Sequence, residues 1–432
     1  MRVLGIDFGT TSLKICILDE AKDILYEAQA RHDAESELGV QDVAKTLGLA
    51  MKMLEAAEKE HENIERITVA GQMHGIVFWY SNLGEDLTTL DCSALYTWQY
   101  PETTKAILAE LTSLSPIEVF PGYGSSTHLY LQRKNELKSS WDRCGTIMDF
   151  FVAWMTRCKT VFIGTQNAND WGCAAGKRWN HKDLVKGITL PSIAQDGEVL
   201  AERVIDGFPF KGAEICVPLG DLQAAIFPFI REKTAVLNMG TAAQICCLVA
   251  PEYKLPAGYG HLRLDPFDQK SALLVAAGLN GGTALQTFLT MISNWSFSLQ
   301  DGPCTELDLA KIIENCNKYS DITTMPKFRP TFHGERGLPE LSGALISGLT
   351  GEESLYEILA ALHRGIIETL FTLLPLQFLK EMGIERFCLL GSASEPRFLV
   401  HIKHILGGEF QIEKGAQNVS SAYGCAVQAI YQ

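Results

Sequence analysis

The stretch VLGIDFGTTSLKICILD, Val3 to Asp19, reads as strand, tight turn, strand. Gly9-Thr10-Thr11 make the turn, and an acid, Asp7, stands just before it. The pattern returns in VLNMGTAAQICCLV, Val236 to Val249, where Gly240-Thr241 match Gly9-Thr10 and Asn238 matches Asp7. A second pair of stretches follows in the same order. IERITVAGQ (Ile64 to Gln72) and IERFCLLGS (Ile384 to Ser392) each enter an apolar strand from Ile-Glu-Arg and leave it at a glycine. The chain is therefore an internal repeat. Each half carries an early Gly-Thr hairpin and a later strand that ends on glycine.

Between these landmarks the periodicity is helical. Val43 to His61, Ser354 to Gly383, Pro396 to Gly408 and the closing SSAYGCAVQAIYQ all space their apolar residues for helices. Pro375 should kink or break the longest of them, and Gly383 should stop it. Strands alternating with helices predict α/β layers. The region from Gly176 to Pro218 has little periodicity and reads as loops of a subdomain.

At 432 residues, 47% of them hydrophobic, the chain suits two domains with ample core. A formal net charge of −14 argues against broad nucleic-acid or anionic-membrane binding, which needs basic surface. It leaves room for a small anionic ligand held by backbone amides or a metal. No apolar run approaches the roughly 20 residues of a membrane helix, and no secretory signal is evident. The 12 cysteines include no CxxC pair, so they read as reduced, mostly buried thiols of a cytoplasmic protein. His401 and His404 lie one helical turn apart and read as a solvated helix face.

Two α/β halves with matching hairpins predict a cleft in which two Gly-Thr turns, offering unpaired backbone N–H groups and hydroxyls, cradle a polyphosphate. A carboxylate repels phosphate directly, so Asp7 is expected to hold Mg²⁺. Asp221, in PLGDLQAA, stands between a strand (Ile215 to Leu219) and a helix start (Leu222 to Ile226). Taken alone, that position suits a catalytic base and a helix N-cap equally.

The motifs GIDFGTTSLK, GQMHGIVFW, TWQ, GTIMDFFVAWM, QNANDWG, PLGDLQAA, LNGGTAL and ALHRGIIETLFTLLPLQ stand in the order seen in FGGY-type carbohydrate kinases. The chain resembles that family over essentially its whole length. The resemblance implies duplicated actin-like or hexokinase-like (ribonuclease H-like) ATPase domains. Residues 1–230 would bind sugar and carry the base, and 231–432 would bind nucleotide. A hinge is expected near Pro228 to Thr234, with a second crossing near the C-terminal helices. The implied reaction moves the γ-phosphoryl of ATP, with Mg²⁺, to the terminal hydroxyl of a ketose, sedoheptulose ahead of xylulose. Another sugar or polyol kinase, or a homologue that binds without turnover, is the alternative. No nucleic-acid or membrane partner is implied, and the molecule is expected to be a monomer or homodimer.

By the same resemblance Asp221 is the base that takes the hydroxyl proton. Gln72, Met73, His74, Trp98 and Asn167 line the sugar pocket with Asp221. Gly9, Thr10 and Thr11 form one phosphate turn, and Gly240 and Thr241 the other. Gly281 belongs to the nucleotide side, and Gly391, Ser392 and Ala393 form the turn against which adenine stacks. Asp149 reads as a helix cap. This chain departs from the family at Tyr100-Pro101-Glu102, where an Asp and then an Arg usually follow TWQ, and in the reduced glycine run around Gly391.

Overall fold

The Val3–Asp19 hairpin forms as read. Strands β1 (Val3–Phe8) and β2 (Ser12–Leu18) pair antiparallel, with Asp7 opposite Lys14. In the computed structural model, which describes residues 1–84, 86–240, 242–268, 270–299, 308–318, 326–335, 338–415 and 420–432, the chain packs as two units. One is Met1–Pro228 with Val419–Gln432, and the other is Phe229–Asn418.

In the first unit β3 (Ile24–Arg31) adds antiparallel to β2, and β4 (Arg66–Gly71) adds parallel to β1. Beyond β4 come β5 (Val199–Arg203) and β6 (Glu214–Cys216), while β7 (Leu219–Gly220) also pairs with β4. The sheet order is β5-β6-β4-β1-β2-β3. β1 is buried along its whole length, whereas β3, near the edge, alternates exposed and half-buried residues. The helix Val43–Glu60 starts on Asp42, whose carboxylate accepts the Lys45 N–H at 3.1 Å, and buries Leu47, Ala50 and Leu54.

The C-terminal helix Ser421–Ile430 packs on β1, β2 and β4 in this first unit, and not with the 231–432 half to which the sequence reading assigned it. Small residues make this possible. A Cβ on Gly5 would come 1.9 Å from the Ala422 carbonyl oxygen, and one on Gly424 would come 1.8 Å from that of Ala224. Only glycine lets the backbones approach so closely.

In the second unit β8 (Thr234–Met239) and β9 (Ala243–Val249) form the matching hairpin. The strands β10 (Arg263–Pro266), β11 (Ala272–Gly278), β12 (Arg386–Gly391) and β13 (Gln411–Lys414) complete a sheet of order β10-β11-β9-β8-β12-β13. The run β6-β4-β1-β2-β3 thus corresponds to β13-β12-β8-β9-β11. The register repeats as well. Val3 lies beside Arg66 and Thr234 beside Arg386; Phe8 lies beside Gly71 and Met239 beside Gly391.

Three readings need correction. The region from Gly176 to Pro218 is not only loops: β5 and β6 lie in it and extend the first sheet. Such short strands carry no period of their own and are defined by their partners. His401 is buried, and burial pulls its imidazole down to about 4; only His404 lies on the solvated side. The packing boundary at Pro228 also sits two residues before the expected one. Pro375 acts as expected: Leu355–Leu373 ends before it and Leu376–Glu381 starts on it. All the described cysteines are free and buried or half-buried.

Candidate active site

The carboxyl ends of parallel strands are where open α/β sheets bind ligands. In the first unit β1, β4 and β7 end together: Phe8 lies beside Gly71, and Gly71 beside Gly220. The residues that follow these ends are the Gly9 turn, Gln72 to His74, and Asp221. The sheet register alone therefore brings three sequence-distant motifs to one edge.

Asp7 is buried, and its Oδ1 has no hydrogen-bond partner. Burial pushes its carboxyl up to about 7; Lys14, directly across the hairpin, opposes the shift, and the nearby Asp221 adds to it. Directly opposed residues share a face of the sheet. Lys14 accordingly shares the Asp7 face of the sheet, a neighbour that sequence reading passed over. The repeat held the signal for it, because Gln244 occupies the same register against Asn238 and accepts from its amide at 3.3 Å.

Asp221 opens the helix Asp221–Ile226, with Gly220 as its N-cap. Its Oδ1 accepts the Leu222 N–H at 2.7 Å, which fixes the carboxylate at the strand–helix junction. The Met73 side chain packs on Gly220, immediately before it.

Gln72 is tied to the first turn. Its N–H donates to Phe8 O (2.8 Å), and its amide nitrogen donates to Gln41 Oε1 (3.1 Å). Gln41 in turn donates to Thr10 O (2.7 Å), while Gln72 Oε1 is left buried without a partner. Trp98 also reaches this turn, with its indole N–H donating to Thr10 Oγ1 at 3.1 Å. Gln41 was not foreseen; a lone glutamine in a two-residue strand gives no signal.

His74 has a positive φ of 71° and stacks on Tyr123 with ring centroids 4.6 Å apart. Its Nδ1 lies 2.7 Å from Asp170 O. A carbonyl can only accept, so Nδ1 carries the proton and the ring is locked in one tautomer. Asp170 ends the short helix Thr165–Asp170, which packs against β7 and carries Asn167. Both amide atoms of Asn167 and both of Gln166 are buried without partners. Buried polar groups are normally satisfied, so such orphans mark a place where a ligand or water completes the bonding. Asp149 is a cap, as read: with Thr146 it closes a capping box.

In the second unit Gly240, Gly281 and Gly391 gather at the corresponding sheet end. The Gly282 N–H donates to Gly240 O (2.9 Å), and Met239 lies beside Gly391. The Gly240 N–H is bonded to Ala242 O (2.9 Å) within its own turn, contrary to the expectation of an unpaired donor there. Thr241 lies outside the described residues. Gly391 has φ 60° and ψ −143°, a conformation open to glycine alone. The Ser392 hydroxyl donates to Met239 O at 3.1 Å, and Ala393 is fully buried behind it. Among the described residues no helix is long and apolar enough to cross a membrane, and no group of three or more His, Cys, Asp or Glu could hold a metal.

Comparison with known proteins supplies the family. Residues 2–115 match the N-terminal domain of the FGGY family of carbohydrate kinases. Sedoheptulokinase of Mus musculus is 30% identical over 98% of this chain and 96% of that protein. Sedoheptulokinase of Homo sapiens is 32% identical over 90% of this chain and 89% of that protein. A xylulose kinase from Lactobacillus acidophilus has the same fold, with a TM-score of 0.74 at 17% identity, covering 100% of this chain and 89% of that one. The α/β, two-domain, actin-like ATPase architecture that the family resemblance implied is therefore the one present. The chain belongs to the FGGY family of carbohydrate kinases.

Proposed function

We propose that this kinase transfers the γ-phosphoryl of ATP to the terminal hydroxyl of sedoheptulose. The observation that carries the choice of sugar is the likeness to two proteins named sedoheptulokinase, which holds over nearly the whole chain.

In this reading the first unit, 1–228 with the C-terminal helix, holds the sugar, and the second holds the nucleotide. Asp221 takes the proton of the attacking hydroxyl, and its bond to Leu222 N–H keeps the acceptor aimed. The orphaned Gln72 Oε1, the orphaned Asn167 amide and the tautomer-locked His74 bond sugar hydroxyls, while Met73 and Trp98 wall the chain. A site with unpaired buried amides discriminates strongly against analogues that lack the matching hydroxyl. Gly9, Thr10 and Thr11 of the first unit, and Gly240, Thr241 and Gly281 of the second, are the residues assigned to the phosphates. Gly391, Ser392 and Ala393 take the adenine.

Asp7 fits a Mg²⁺ ligand. It offers a buried, unpartnered oxygen, and the repulsion it feels from Asp221 is of the kind a divalent cation relieves. A single carboxylate with waters and phosphate oxygens is the usual donor set for this ion. When bound, Mg²⁺ neutralises charge on the transferring phosphoryl group. Lys14 adds a fixed cation on the same face of the hairpin.

The test is kcat/KM with ATP across sedoheptulose, xylulose, ribulose, fructose and glycerol. Sedoheptulose should lead. A clear preference for glycerol, or no turnover with any ketose, would overturn the assignment. Sugar and ATP binding without ADP formation would instead indicate a homologue that has lost catalysis.

A further inference from the structure

The turn that follows β11, Leu279 to Gly282, is held from outside by a buried polar clip. Glu335 is 8% exposed and Asn280 is 2% exposed. Glu335 Oε2 accepts the Leu279 N–H at 2.8 Å, and its Oε1 accepts from Asn280 Nδ2 at 2.8 Å. The same Asn280 nitrogen donates to Gly334 O (2.8 Å), and Asn280 Oδ1 accepts the His333 N–H (3.2 Å). Every polar atom of the Asn280 side chain is thus engaged. Past the clip, the Gly282 N–H donates to Gly240 O (2.9 Å), and the Thr283 hydroxyl donates to Leu279 O (3.1 Å). Hydrogen bonds at the two ends of the turn thus tie Leu279–Gly282 to Glu335 on one flank and to Gly240 on the other.

We propose that Glu335 and Asn280 are positioning residues that hold the Gly281–Gly282 turn against Gly240 and thereby set the affinity for the nucleotide phosphates. This rests on the reading that the second unit binds ATP. The physical reason is the cost of the alternative. Both Glu335 oxygens act as acceptors in a buried site, so a conformation that released Leu279 or Asn280 would strand polar groups away from water. The clip therefore leaves one arrangement of the turn, preformed before ligand arrives, and ordering costs at binding are reduced. Neither residue needs to touch the nucleotide. Glu335 belongs to the stretch FHGERGLP, whose spacing to the glycine turn says nothing of their contact until the chain is folded.

The test uses the full-length kinase and Glu335→Gln. The introduced amide has one acceptor where two are needed, so it faces either the Leu279 N–H or the Asn280 NH₂ donor to donor. The KM for ATP, and the Kd of a non-hydrolysable ATP analogue by calorimetry, should rise roughly 10- to 100-fold, the range set by one buried hydrogen bond to a charged group. At saturating ATP, kcat and the sugar KM should be unchanged, as when only uniform binding is lost. Combining Glu335→Gln with Asn280→Asp reverses the polarity of the central bond. The introduced amide donates to the introduced carboxylate, and acceptors remain for Leu279 N–H and His333 N–H, while the donor to Gly334 O is lost, so this pair should recover part of the affinity. It also serves where Glu335→Gln alone folds poorly. Wild-type ATP affinity in Glu335→Gln overturns the proposal. So does a joint loss of kcat, both KM values and melting temperature with no recovery in the pair, which would make the clip merely structural. Gly240→Val separates the two levels. If it abolishes nucleotide binding while Glu335→Gln leaves affinity unchanged, only the clip fails. If neither variant affects ATP, the nucleotide-site reading fails.

Discussion

Gly240→Val should leave the fold intact and remove nucleotide binding. The two effects can be worked out separately. A Cβ built on Gly240 meets no heavy atom of the described residues within 4 Å, and its φ lies outside the left-handed region. The bonds of the turn, Gly240 N–H to Ala242 O and Gly282 N–H to Gly240 O, are backbone bonds that a side chain does not touch. Replacing glycine where the backbone is compatible reduces the freedom of the unfolded chain and is worth roughly +0.4 to +1 kcal/mol of stability. Stability should therefore hold or rise slightly. The isopropyl group, however, fills the open space that the proposed phosphates need. Losing about two hydrogen bonds to a charged phosphate, at roughly 1.5–3 kcal/mol each, weakens binding roughly 10²- to 10⁴-fold. Calorimetry with ATP and Mg²⁺ measures the second effect, and urea unfolding the first. Wild-type affinity would refute the phosphate turn. Lost binding with a large drop in stability would refute the claim that the space is open. Gly9→Val is a poorer probe, because its Cβ would sit 2.9 Å from Ser12 O and strain the hairpin itself.

Asp221→Asn should lower kcat roughly 10²- to 10⁴-fold with little change in sugar KM, the usual effect of losing a positioned base; steady-state kinetics showing near-normal turnover would reduce Asp221 to a helix-start residue. Gly391→Ala should destabilise the protein by roughly 2–5 kcal/mol, combining a glycine-only backbone conformation with overpacking, since the added Cβ would lie 2.3 Å from Met239 O; denaturant melts check this, and a loss below about 1 kcal/mol would mean the turn relaxes freely. Acid should weaken the second unit. Burial holds His363 well below its ordinary value and His401 at about 4, so the unfolded chain binds protons that the folded chain refuses. Their contribution is complete above the ordinary imidazole pKa of about 6.5 and is lost as pH falls below it, at up to about 1.36 kcal/mol per pH unit for each ring. Hydrogen exchange in β8 and β12 between pH 7 and 5 should report this, and His363→Gln should make the slope shallower; an unchanged slope would exclude His363 as a cause.

Much of this molecule is written locally in its sequence. The two Gly-Thr hairpins and the two Ile-Glu-Arg strands could be recognised because each is continuous, apolar in strand and punctuated by glycine. Their order alone implied a duplicated α/β core. Asp221 was visible for the same reason: a strand, a glycine and a small-residue helix surround it in one short run. What folding decided were the partners. β5 and β6 are too short to carry a period, and they become strands only by joining the ladder that β4 begins. The C-terminal helix follows the second half in sequence, yet packs on the first, because Gly5 and Gly424 permit a backbone approach that no local pattern announces. Gln41 reaches Thr10, Trp98 reaches the same turn, His74 stacks on Tyr123, and Glu335 grips Leu279 and Asn280. Each contact joins residues far apart in the chain, and hydrophobic period and turn chemistry are properties of neighbours. They determine which elements form; the close-packed tertiary structure determines which side chains meet.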